Sequence, residues 1–99
     1  MFHRRYLIQS LHTSGRSVPA VGGDLIVARS EENDNIDWEL IYRSSETCRI
    51  AQAPYDLDMV GPEGRFSGPA ILVRSDGRSH VFRGVGVLDG FDPAVFTES

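Results

Sequence analysis

The feature that most constrains the fold of this chain is the alternation of apolar and polar residues at every second position. In the segment IDWELIYR, residues 36–43, every second residue is apolar and the residues between are charged, with Ile41 as the exception. A strand with one buried and one solvated face gives this pattern. Residues 55–60, YDLDMV, alternate in the same way. Outside the C terminus no segment keeps a helical period, so the sequence predicts an all-β protein.

Turn sequences divide the chain into six or seven predicted strands. DG at 76–77 is the strongest short hairpin signal, and GPEG at 61–64 is a second turn. The polar segment 31–35 joins a strand over 24–30 to the strand over 36–43, whereas residues 14–23 are predicted to be loop. Hairpins of this kind predict an antiparallel meander, either closed as a small barrel or packed as a sandwich, in which residues 1–99 form one domain.

Two details of the last strands affect any site built there. Gly84 and Gly86 interrupt the strand predicted over 78–88, which indicates a bend or bulge, or a close neighbour. Beyond it, Asp92 and Pro93 predict one short helical turn, with the aspartate as its cap.

The register of the hairpin at 76–77 stays open from sequence. A two-residue turn would place Val73 opposite His80, and a three-residue loop would place His80 on the face of Leu72 and Phe82. In both registers His80 is predicted to be a hydrogen-bonded structural residue rather than a catalytic one.

The charge is unevenly distributed, although the net charge is only −4. Residues 24–63 carry ten acidic residues against three arginines, whereas residues 64–88 carry four arginines and one acid. All ten Lys and Arg positions are arginine, a bias typical of GC-rich genomes such as those of some bacteria and their phages. The single cysteine, Cys48, cannot form an internal disulfide and favours a reducing cytoplasm, that of the host if the protein is viral.

The N terminus, MFHRRYLIQSLHTSG, is interpreted as mature protein rather than a secretion signal, because polar residues interrupt its apolar part. The apolar runs are far shorter than the ~20 residues that a membrane helix needs, so no membrane partner is expected.

An acidic patch is the first candidate binding surface. It clusters on one predicted hairpin and its loop, and comprises Glu31, Glu32, Asp34, Asp37 and Glu39. Acidic residues protect sheet edges from pairing with other chains, but the same patch could engage a basic partner protein or mimic nucleic-acid phosphate.

An arginine face is the second candidate surface. If the N-terminal strand lies beside the 66–88 hairpin, basic side chains would converge there, namely Arg4, Arg5, Arg74, Arg78 and Arg83. Aromatic residues that could stack on bases are interleaved with them, namely Phe2, Tyr6, Phe66 and Phe82. Small barrels bind single-stranded nucleic acid in this way.

No catalytic, cofactor or metal site is predicted. The histidines lack zinc-ligand spacing and have no partner cysteines, and the chain contains no G-x-S-x-G motif. We therefore expect a non-enzymatic accessory protein of a bacterium or phage that acts through protein–protein contact, with an unidentified protein or a second copy as partner. The alternatives are a single-stranded nucleic-acid-binding barrel and a barrel that binds a small ligand or acts as a minor enzyme.

Overall fold

The computed structural model describes residues 2–18, 22–29, 35–44 and 50–96. As the alternation predicts, these residues form an all-β structure, whose one helical element is a short C-terminal turn. The strands are β1 (Phe2–Ile8), β2 (Ser10–Thr13), β3 (Arg16–Val18), β4 (Gly22–Arg29), β5 (Ile36–Arg43), β6 (Pro54–Gly61), β7 (Gly64–Ser75) and β8 (Ser79–Gly84).

All eight strands belong to one antiparallel sheet that curls into a half-barrel, so the sandwich alternative is wrong. The strand order is β1-β4-β5-β8-β7-β6-β2-β3. Only Gln9 separates β1 from β2, and its amide donates to the Val60 carbonyl at 2.7 Å. The chain itself therefore connects one end of the sheet to the strands at the other end.

The concave face of the sheet holds the core. Its largest fully buried side chains include Ile8, Leu11, Leu25, Leu40, Tyr42, Leu57, Met59 and Phe82. In β5 the residues Trp38, Leu40 and Tyr42 point inward, as the alternation predicts, and Ile41 lies half-buried on the convex face. Each such buried aliphatic or aromatic side chain contributes roughly 1.5–3 kcal/mol to folding.

Three parts of the predicted topology need correction. The described residues form eight strands rather than six or seven, because the N-terminal strand divides at Gln9 into β1 and β2 and the segment 14–23 contains β3. Ser14 and Gly15 adopt positive φ angles of 47° and 86° and close a tight hairpin between β2 and β3. The predicted meander is present in β6, β7 and β8, but β5 pairs with β8 rather than with the next strand in sequence. The N-terminal strand pairs with β4 and not with the 66–88 hairpin.

The predicted helical turn is confirmed as a 3₁₀ turn over Pro93–Phe96. Its cap is Asp92, whose carboxylate accepts a hydrogen bond from the Ala94 amide at 3.0 Å. No helix in the described part of the chain has the length and apolar character needed to cross a bilayer.

Candidate functional site

A gap in the sheet forms where β8 ends. Pairing between β5 and β8 runs from Arg43↔Ser79 to Glu39↔Arg83 and stops there, although β5 begins three residues earlier, at Ile36. After Gly84 the chain leaves β5 and follows β7 instead. Residues 36–38 of β5 consequently pair with β4 on one side and with no described strand on the other.

The path of the chain after β8 is fixed by hydrogen bonds to β7. The Val85 amide donates to the Pro69 carbonyl at 2.9 Å, and Ser67 and Asp89 exchange amide–carbonyl bonds of 3.0 and 2.6 Å. Between these points lie three residues, 86–88, that oppose a single residue of β7. The two extra residues form a bulge, which is the irregularity that the glycines in this segment indicate.

The gap is an open groove of about 590 Å³. Its lining residues are Asn35, Ile36, Asp37, Trp38, Gly84, Val85, Gly86, Val87, Leu88 and Phe91. Val85 and Val87 on one wall are 56% and 78% exposed, the two highest fractions among the exposed large hydrophobic residues of the described part of the chain. We refer to this feature as the groove throughout.

The indole of Trp38 forms the floor of the groove. It is 3% exposed, and its Nε1–H donates to the Gly86 carbonyl at 3.0 Å. A Cβ atom added at Gly84 would overlap the indole, and one added at Gly68 would come within 2.8 Å of it. Both glycines are therefore required by the ring that packs on them.

The unpaired edge of β5 presents backbone hydrogen-bonding groups to the groove. The Ser44 amide donates to the Arg78 carbonyl at 2.8 Å, so even-numbered residues of this strand direct their backbone toward the β8 side. By the same alternation the N–H and C=O of Ile36 point into the groove and those of Asp37 point toward Ala28 in β4. Ile36 thus carries a donor and an acceptor that pair with no described strand on this side, beside apolar walls.

Charge around the groove is predominantly acidic. Among the described residues that line it, Asp37 is the one charged residue and is exposed. Asp89 and Asp92 are exposed beside the opposite wall, and Arg29 lies opposite Ile36 in β4. Glu39, farther along β5, lies opposite Arg83, which offsets its charge.

The predicted acidic patch is described in part. Asp37 and Glu39 are exposed on the convex face of β5, as the alternation predicts, and Asp37 contributes to the groove. Glu31, Glu32 and Asp34 lie outside the described residues.

The predicted arginine face is not assembled among the described residues, because β4 and β5 stand between β1 and the β7–β8 hairpin. Arg4 lies on the face of β1 that carries the buried residues, and Arg5 lies on the other, where its Nε donates to Asp24 at 3.0 Å. That bond and the negative charge of Asp24 raise the pKa of Arg5. Arg74, Arg78 and Arg83 are exposed in the hairpin.

The aromatic residues proposed as stacking platforms belong to the core instead. Tyr6, Phe66 and Phe82 are buried, and Tyr6 and Phe66 pack against each other with ring centroids 4.8 Å apart. The side chain of Phe2 lies outside the description. Bases could not stack on the three buried rings without unfolding the sheet.

His80 is confirmed as a structural residue held by hydrogen bonds. It is fully buried, with its Nδ1 2.8 Å from the Ser75 hydroxyl and its Nε2 3.3 Å from the Ser44 hydroxyl. Burial lowers the pKa of His80, and the charge of Asp76 opposes that shift. The imidazole is therefore neutral at physiological pH and enclosed away from any substrate.

The hairpin that carries His80 turns one residue later than its DG sequence suggests. The Asp76 amide donates to the Ser79 carbonyl at 3.1 Å, which leaves Gly77, with φ of 95°, and Arg78 as the turn residues. A bulge between Leu72 and Arg74 then restores the register in which Leu72 lies opposite Phe82. His80 shares their face, as the three-residue-loop alternative predicts.

No family model, curated protein or solved structure matches this chain in comparisons with known proteins. Nor do the described residues group three His, Cys, Asp or Glu side chains where they could hold a metal ion.

Sequence reasoning missed the groove, although its signal is present in the glycines and valines of GVGV, residues 84–87. In a strand, valines normally indicate packing in the core, and glycines normally indicate a bend of the strand. The exposure of Val85 and Val87 follows from the parting of β5 and β8, which no local pattern indicates.

Proposed function

We propose that this protein is a non-enzymatic accessory protein that acts through protein–protein contact, and that the groove is its contact site. One observation supports this most directly: Val85 and Val87 are exposed beside an unpaired sheet edge. Apolar side chains and free backbone groups that lie next to each other favour a protein partner, which can cover both at once. The single cysteine supports a cytoplasmic site of action.

The acidic surroundings of the groove support a basic partner. Asp37, Asp89 and Asp92 lie at or beside its walls, and Asp37 is also a member of the acidic patch predicted from the sequence. Complementary charge would accelerate the encounter with a basic segment and disfavour acidic ones. Small acidic accessory proteins of bacteria and phages, such as inhibitors and immunity proteins, are the functional class that fits this reading by analogy.

A small-ligand site is the second candidate, because a volume of about 590 Å³ falls within the range of small-molecule pockets. The concave interior does not support this reading, since its side chains fill it, but the groove with its indole floor does. Nucleic-acid binding has weaker support, because the arginines lie on separate strands and faces.

The test of a protein contact uses two matched substitutions of exposed apolar residues. Val87→Asp places a charge on the groove wall, and Leu7→Asp places one on the convex face of β1, where Leu7 is 52% exposed. We expect affinity capture from lysate of the source organism, or of its host, to enrich one protein on wild type and on Leu7→Asp but not on Val87→Asp. Purification of that protein and titration against all three forms should reproduce the difference, with at least tenfold weaker binding to Val87→Asp.

Two outcomes would contradict the proposal. Equal binding of the purified partner to Val87→Asp would remove the groove from the contact. Salt-dependent retention on a polyanion column, weakened by Arg74→Ala combined with Arg78→Ala, would favour nucleic-acid binding instead.

A further inference from the structure

We infer that the groove takes an extended peptide segment with alternating apolar and basic residues, which adds as a β-strand between β5 and residues 84–88. This inference rests on the proposed function, and it specifies the conformation and chemistry of the bound segment. Strand addition requires hydrogen bonds to the backbone of β5, which contact with the valine side chains alone would not require.

The geometry of the two walls argues for an inserted strand. Paired strands are joined by a ladder of backbone hydrogen bonds, but among the described residues no strand pairing joins residues 36–38 to the opposite wall. The bond between the walls comes from a side chain instead, from the Trp38 indole to the Gly86 carbonyl at 3.0 Å. An added strand would supply a backbone partner for β5 at Ile36, next to the indole.

The hydrogen-bonding groups of β5 supply the template. Ile36 directs its N–H and C=O into the groove and has no described strand partner on that side. On the opposite side of β5, Asp37 is paired with Ala28. Strand addition to such an edge obtains affinity from main-chain bonds and selectivity from alternate side chains.

The side chains that the bound segment should carry follow from the walls. Neighbouring residues of β5 point to opposite faces, so the residues of the segment on the face of Ile36 would be apolar and those on the face of Asp37 would be basic. Val85 lies on the face of Asp37, and the aliphatic stems of the basic residues would pack on it. An acidic segment of the same shape would meet like charge. The occupant is therefore a segment of a basic partner protein.

The experiment uses blocked heptapeptides that alternate lysine and valine, begin and end with lysine, and are titrated into the full-length protein. Trp38 is the one tryptophan of the chain, so its fluorescence reports directly on the groove floor. We expect binding of the lysine–valine peptide and at least tenfold weaker binding of the glutamate–valine peptide.

Two N-methylated isomers of the lysine–valine peptide test the backbone bonds. Because alternate residues of a strand direct their amides to the same side, methylation of every valine amide blocks one edge, and methylation of every lysine amide blocks the other. We expect one isomer to bind at least tenfold more weakly than the other. Amide hydrogen exchange should slow at Ile36 on binding of the unmodified peptide and stay unchanged at Asp37.

Each contrary outcome overturns strand addition. Failure of the lysine–valine peptide to bind, equal binding of the two isomers, or unchanged exchange at Ile36 would each do so. If Val87→Asp still loses the captured protein in any of these cases, the proposed function stands without the strand. A wild-type dimer that Val87→Asp dissociates would assign the groove to a second copy and would also overturn the inference.

Discussion

At the scale of single residues, His80 couples the stability of the fold to pH. Burial holds its pKa below the ordinary value of 6.5, with Asp76 opposing the shift. The unfolded chain therefore binds a proton at higher pH than the folded protein, so stability is full above about pH 6.5 and declines as the pH falls below it. We expect the free energy of unfolding, measured by urea denaturation from about pH 8 to 5, to fall by at most about 1.4 kcal/mol per pH unit in that window.

Two histidine variants separate this effect from the titration of other groups. His80→Gln keeps a polar side chain between Ser44 and Ser75 but does not titrate, so its stability should be nearly flat over the same pH range. His12→Gln changes an exposed histidine and should retain the wild-type slope. A wild-type slope in His80→Gln would show that the dependence arises elsewhere.

At the scale of secondary-structure elements, the groove depends on the fit between Trp38 and the end of β8. A methyl group at Gly84 would overlap the indole, so Gly84→Ala should displace the ring and destabilise the protein by about 1–3 kcal/mol. Trp38→Phe leaves room for the methyl group, and the double variant should therefore lose less stability than the sum of the two single variants. Urea denaturation followed by circular dichroism measures all four proteins; additivity within about 0.5 kcal/mol would contradict the contact.

Strand β5 and the β7–β8 hairpin show what the sequence can and cannot predict. Alternation in residues 36–43 predicts which face of β5 is buried, since that depends on local period alone. The shift of the turn to Gly77 and Arg78 depends on the Asp76 carboxylate, which accepts bonds from the amides of Arg78 and Ser79 at 3.1 and 2.7 Å. The parting of β5 and β8 depends on a ring that meets glycines far away in sequence, so no local pattern reveals it.

At the scale of the whole molecule, the strand order was beyond sequence reasoning for a related reason. Hairpin sequences predict pairing between consecutive strands such as β6 and β7, but no local sequence pattern indicates that β1 pairs with β4 or that β5 pairs with β8. These pairings bring together distant segments and are selected by which edges and apolar faces remain uncovered. The predicted arginine face requires β1 to lie beside the 66–88 hairpin, whereas β1 pairs with β4, so the arginines of the two segments do not converge.

Closure of the half-barrel depends on Gly61, where β6 passes beneath the junction of β1 and β2. A Cβ atom there would overlap the backbone carbonyl of Leu7, which cannot rotate away as a side chain can. Gly61→Ala should therefore cost at least about 3 kcal/mol or prevent folding, because β1 or β6 must shift to admit the methyl group. Gly64→Ala, in the same turn, has open space around its Cβ but a φ of 145°, so it meets backbone strain without a steric overlap and should cost less, about 1–3 kcal/mol. Thermal and urea denaturation of the two variants measure the difference, and equal losses would mean that close approach to β1 does not determine how the sheet closes.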